Sequence, residues 1–219
     1  MGLRIISKYF KFKDKNFIYI GIIWIGIYHP WWSSTCSFLL ALTTPYFLSL
    51  ELYFLFALSL TPIFLTIWFI AFTDMVLQKY KIVLIVLIAV ISGLFDIYLI
   101  YNVIFDVQAI GSFNENSIFD VQYNTISMIF LLFIVLVLLI TGILFARESI
   151  KSGSPEIKLK GKFLTLAWIL WAVGAILDSA VPLLIPLILL TRIILISSSI
   201  LFYIGFLLPN FIKKQFGIS

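Results

Sequence analysis

The sequence predicts an all-α integral membrane protein, a bundle of six transmembrane helices with both termini cytoplasmic. Three observations carry that expectation. The 219 residues are 63% hydrophobic and only 11% charged, with a mean hydropathy of +1.15, whereas about a quarter of the residues in a soluble domain are charged. The apolar runs are long, unbroken and separated by short charged connectors, as a helical bundle in a bilayer requires. The basic residues gather at the ends of those runs. A transmembrane β-barrel would need short alternating segments, and stretches such as 129–146, IFLLFIVLVLLITGILFA, show no alternation.

Residues 1–16 form a basic N-terminal segment, too charged and with too short an apolar run for a cleaved signal peptide. Ile6 stands where a myristoylation signal needs Ser or Thr. Leu3, Ile6 and Phe10, at near-helical spacing, would let the segment lie on the inner membrane surface between its lysines.

The transmembrane domain covers 17–209. Its spans run from Phe17 to about Leu40, Tyr46 to Met75, Ile82 to Ile104, Ile126 to Ala146, Phe163 to Val181 and Leu187 to Leu208. Each is near or above the roughly 20 residues needed to cross the hydrocarbon. Pro30 should bend the first span and Pro62 the second, because proline removes a backbone hydrogen bond. The fourth span has almost no polar atoms and is expected to face lipid. A tail, 210–219, follows the sixth.

Orientation follows from the basic residues. With six spans, 14 of the 15 fall on one side: in the N-terminal segment, at Lys79 and Lys81, in the inner basic loop 147–162, and at Lys213 and Lys214. The outer acidic loop, 105–125, holds Asp106, Glu115 and Asp120, and the pentamer IFDVQ occurs at 104–108 and again at 118–122. The two copies could pair as a hairpin lid, or the loop could be a flexible acidic segment with a duplicated pentamer.

Four ionisable side chains fall inside the spans: Glu51, Asp96, Asp178 and Arg192. Burying each costs at least about 2.5 to 3.5 kcal/mol on insertion scales, so each is a functional candidate in need of a partner. At about 1.5 Å of rise per residue, all four lie at one level in the outer half of the membrane, and His29, Trp31 and Trp32 join that level. Ala89, Ser92 or Gly93 with Asp96, then Trp171, Gly174 and Asp178, then Arg192, Ser199 and Tyr203 should share inward helix faces. His29, Trp31, Trp32, Glu51, Asp96, Asp178, Arg192 and Tyr203 are therefore the candidate lining of a polar pocket. Arg192 and Asp178, flanking the turn PLLIP at 182–186, are also expected to form a structural ion pair.

Most chemistry is disfavoured. One His and one Cys cannot supply the three or four ligands of a nitrogen–sulfur metal site, so no metal and no cofactor is expected. No G-x-S-x-G, phosphate loop, dinucleotide fingerprint or EF-hand loop is present. Intramembrane aspartyl proteases carry YD and GxGD, whereas this chain has LFD at 94–96 and ILD at 176–178. The sixth span has no lysine for a retinal Schiff base. An enzyme is thus the weakest class, and the net charge of +5, clustered at span ends, does not describe a nucleic-acid surface.

Two non-enzymatic readings remain. The first is a sensor, or a small-molecule binding or transport component, in the cell membrane, taking a small molecule or a proton from the outer side and signalling through a membrane or cytoplasmic partner. The second is a structural or accessory subunit whose buried charges only pair helices. The size and six-span layout look like the substrate-binding components of vitamin transporters of the energy-coupling type, which work with a separate ATPase module. That resemblance implies a docking face of small residues four apart on the first helix. Here Gly21 and Gly26 are five apart.

Overall fold

The computed structural model describes residues 1–114, 117–180 and 185–218. Glu115 of the outer loop, Val181 at the end of the fifth predicted span and most of the PLLIP turn lie outside the described residues. The chain divides into two compact units, Met1–Phe130 and Leu131–Ser219, where the sequence suggests one domain over 17–209.

The first unit opens with two short helices, α1 (Gly2–Ile6) and α2 (Lys8–Phe12), followed by α3 (Asn16–Gly26). Lys13 takes a left-handed conformation, φ 55°, and the chain reverses so that α1 packs along α3. Two glycines permit the approach: a Cβ on Gly21 would lie 2.7 Å from the Gly2 carbonyl oxygen and 2.4 Å from Ile6 Cγ1. The face expected from Leu3, Ile6 and Phe10 is split accordingly. Ile6 covers Gly21, whereas Leu3 and Phe10 stay exposed.

The first predicted span is not one continuous helix. It is α3, a 3-10 turn at His29–Trp31, and α4 (Trp32–Thr43). Pro30 sits in that turn, and two hydroxyls of α4 hydrogen-bond back to it: Ser33 Oγ donates to Pro30 O at 3.4 Å and Thr35 Oγ1 to Trp31 O at 2.9 Å. The second span begins later than expected, at α5 (Leu50–Leu58), because Pro45 and the extended Ser49, whose Oγ accepts the Leu52 N–H, set its start. It breaks at Ser59–Leu60 and resumes as α6 (Thr61–Met75), with Pro62 in the first turn, where a missing N–H costs least. A 3-10 turn at Gln78–Tyr80 leads into α7 (Lys81–Phe105).

After a 3-10 turn at Val107–Ala109, β1 (Gly111–Asn114) and β2 (Ser117–Tyr123) form an antiparallel hairpin with a register irregularity at Phe113/Asn114. The loop is folded, yet the two pentamers do not pair. The first closes α7 and enters the turn; only the second is strand, and GSFN is its partner. Tyr53 Oη donates to Phe119 O at 3.3 Å and Tyr98 Oη to Ala109 O at 2.7 Å, fastening the hairpin to α5 and α7.

Helix α8 (Thr125–Lys151) runs from the first unit into the second. Contrary to the expected lipid-facing role, it carries a buried stripe: Ser127, Phe130, Leu131, Ile134, Val135, Leu138 and Thr141. Low polarity does not separate a lipid-facing helix from a central one, since both environments are apolar.

In the second unit α9 (Pro155–Ala180) packs along α10 (Ile185–Leu207), and α11 (Asn210–Gln215) follows. Leu208, Ile212 and Leu159 close the end of that pair. Across the described residues five helical stretches are long and apolar enough to cross a membrane: Leu50–Met75, Gln78–Phe105, Thr125–Lys151, Pro155–Ala180 and Pro186–Leu207.

Candidate functional site

His29, held in the 3-10 turn by Pro30, is the most deeply enclosed of the candidate residues, 1% exposed. Its ring lies edge-on to Trp32 at 5.0 Å and to Phe64 of α6 at 5.6 Å. Nδ1 is 3.2 Å from Thr61 Oγ1, and the Thr61 hydroxyl donates to Ala57 O at 3.3 Å. The direction of the His29–Thr61 hydrogen bond follows the imidazole tautomer: Nδ1–H donates to Thr61 Oγ1 in one, and the Thr61 hydroxyl donates to Nδ1 in the other. Trp31 turns away toward Tyr28, ring centroids 6.1 Å apart, so Trp32 alone of the two tryptophans covers the imidazole.

Ser33 and Ser37 continue one face from His29 at intervals of four residues, and all three are buried. Among the described residues Ser37 Oγ has no hydrogen-bond partner, and neither do the buried hydroxyls of Ser92 and Ser127.

The remaining candidates of the first unit do not join His29 in a shared cluster. Glu51 lies in the first turn of α5, two residues after the capping Ser49. Asp96 is half-buried on α7 and has no hydrogen-bonding or ionic partner among the described residues. The buried stripe of α7 is Ile88, Ser92, Phe95, Leu99 and Asn102. Phe95 stacks on Phe130 with centroids 3.7 Å apart. Ala89 is exposed, and a Cβ on Gly93 would meet nothing within 4 Å. Of the inward face expected from Ala89, Ser92 or Gly93, and Asp96, Ser92 is buried, Ala89 is exposed, and Asp96 stands at the margin.

In the second unit the Asp178–Arg192 ion pair is present, with Oδ1 and Nη1 2.9 Å apart and the side chains 14% and 26% exposed; the contact is ionic, since these two atoms are not aligned as a hydrogen bond. Trp171 and Gly174 are buried on the same helix face as Asp178, as expected, and Leu195 of α10 seats over Gly174. On α10 the buried stripe is Thr191, Leu195, Ser198 and Phe202, so Arg192, Ser199 and Tyr203 lie on its shoulder, each partly exposed. A carboxylate or guanidinium costs more to bury than a hydroxyl, and on both α7 and α10 the serine occupies the centre while the charge stays at the edge.

Reasoning from sequence missed Thr61, Phe64 and the serine face. The signals were a hydroxyl directly before Pro62, where the helix leaves a carbonyl unpaired, and the four-residue spacing of His29, Ser33 and Ser37. Among the described residues no three His, Cys, Asp or Glu side chains are grouped to hold a metal ion. Cys36 is a free thiol. Gly21 and Gly26, the small residues of the first helix, are both occupied within the chain, by α1 and by the Phe64 ring. Searches against family models, curated proteins and solved structures give no match to this chain.

Proposed function

We propose that this chain is a multi-pass protein of the cell membrane, with six spans and cytoplasmic termini, that serves as a structural or accessory subunit of a membrane assembly. The observation that carries the reading is the Asp178–Arg192 pair: the one intramembrane cation is bound at 2.9 Å by a carboxylate of the adjoining helix. His29 is likewise engaged by Thr61 and enclosed by Trp32 and Phe64. Both contacts join helical segments of one unit.

A double-mutant cycle tests this. Asp178→Leu or Arg192→Leu alone strands a charge and should cost toward the lower end of the about 3 to 5 kcal/mol of a broken buried pair, because both side chains retain some exposure. The double variant should recover most of the loss in thermal unfolding in detergent. Equal damage in the single and double variants would count against a purely structural role.

A second reading, a small-molecule binding component, is favoured by one observation: the unpartnered buried hydroxyls of Ser37, Ser92 and Ser127. Buried polar atoms ordinarily find a partner, and a small polar ligand or water could supply it. Under that reading a library of small polar solutes raises the melting temperature of the wild type and not of Ser37→Ala. A flat response in both removes it.

A further inference from the structure

The N-terminal helical hairpin is built differently from the other basic clusters of the chain. Each of the other basic clusters holds at least one ion pair, Lys81 with Asp74, Lys151 with Glu148, and Lys160 and Lys213 with Glu156, although Lys79, Lys158, Lys162 and Lys214 have none among the described residues. Lys11, Lys13 and Lys15 are exposed and form no ion pair among the described residues. Two of their ammonium groups lie over ring faces instead, Lys11 5.4 Å from the Phe12 centroid and Lys13 5.8 Å from that of Tyr9. Asp14, the acid closest to them in the chain, accepts the Asn16 N–H at 2.9 Å and so caps α3.

Beside these charges Phe10 and Phe12 are 71% and 56% exposed, and Leu3, on α1, is 75% exposed. The burial of Gly2 and Ile5 against α3 fixes which face of α1 is left outward. α3 begins at Asn16 and is apolar from Phe17 onward, so the tip of the hairpin marks the polar end of an apolar segment. In the membrane reading proposed above, on which this inference rests, that is the level of the lipid headgroups.

We infer that the tip of this hairpin, through Lys11, Lys13 and Lys15 with Phe10 and Phe12, is a docking surface for anionic lipid headgroups of the inner leaflet. Uncompensated lysines attract a negatively charged membrane surface over about a Debye length. Exposed rings next to them insert at the acyl boundary. A soluble acidic partner would match the charge but offers no apolar phase for side chains projecting from a convex turn.

The full chain is placed in nanodiscs of phosphatidylcholine, or of phosphatidylcholine with phosphatidylglycerol. The single thiol is moved to the tip by Phe10→Cys in a Cys36→Ser background and labelled with an environment-sensitive dye; Phe12→Cys serves as a second probe should the first perturb the hairpin. Anionic discs should shift the emission to the blue and protect the dye from acrylamide. High salt, or Lys11→Gln, Lys13→Gln and Lys15→Gln together, should abolish the difference. Equal emission and quenching in both discs, or a difference that survives loss of the three lysines, overturns the inference and leaves the surface to an acidic protein partner. A chain that enters neither disc and is extracted from native membranes by carbonate overturns the membrane reading itself, and this inference with it.

Discussion

At Gly26 a Cβ would lie 2.2 Å from the Phe64 ring, whereas at Gly93 it would meet nothing within 4 Å. The same substitution should therefore act in opposite directions. Gly26→Ala forces apart α3 and α6 where Phe64 also covers His29, and should cost about 1 to 3 kcal/mol as overpacking. Gly93→Ala, in an open position inside a helix, should stabilise by up to about 1 kcal/mol through helix propensity. Thermal unfolding of the two purified variants beside the wild type checks both signs, and a loss at Gly93 would mean that its open face is used. Individual residues were legible in the sequence to the extent that a backbone effect spoke for them. Pro30 and Pro62 announced their breaks because proline has no N–H to give, and from the nearby Ser-Ser-Thr run Ser33 and Thr35 hydrogen-bond back to the carbonyls of the turn. Helix faces were less legible. Asp96 and Arg192 drew attention as the costliest residues, and a face centred on each is rotated by one residue, about 100°, from the one that α7 and α10 bury.

Among the elements, the joint between α9 and α11 makes the clearest electrostatic prediction. Glu156 precedes the apolar stretch of α9, and its carboxylate is pulled down to about 2 by hydrogen bonds from Lys160 and Lys213. Its ordinary value is 4.5. A depressed folded-state value means the pairing stabilises fully above pH about 4.5 and is lost as the pH falls toward about 2. The side chain is 32% exposed, so screening holds the contribution to about 1 kcal/mol or less. Glu156→Gln should lower the melting temperature slightly at neutral pH and leave a shallower decline between pH 4.5 and 2 than the wild type shows. Parallel pH profiles for the two proteins would show that the bridge contributes nothing. Lys213 is 57 residues from Glu156, and no local pattern in the sequence could have joined them. The hairpin at 111–123 shows the same limit from the other side. A hairpin was one of two readings of the repeated pentamer, but its register was not legible, because that depends on where α7 ends and on Gly111 slipping beneath the Gln122 carbonyl, 2.3 Å from where a Cβ would lie.

At the scale of the whole molecule the open question is parity. Five stretches are long and apolar enough to cross a membrane, and α3, the His29–Trp31 turn and α4 together cover Asn16–Thr43 in pieces. A helix of 28 residues would be about 42 Å long, so the broken segment has the length to span about 30 Å of hydrocarbon even with a bend. Charge decides between the alternatives. If 16–43 crosses, every basic cluster from Arg4 to Lys214 lies on one side, and only Arg192, bound to Asp178, is elsewhere. If it does not cross, Arg4, Lys8, Lys11, Lys13 and Lys15 are stranded opposite the other clusters, against the tendency of short basic segments to remain in the cytoplasm. Fusing a reporter active only in the cytoplasm to either end, and separately within 105–125, reads this directly. Both ends should report cytoplasm and the loop should not. An N-terminal reporter on the side opposite to a cytoplasmic C-terminal one would establish five spans, and would also remove the hairpin from the leaflet its lysines are inferred to meet.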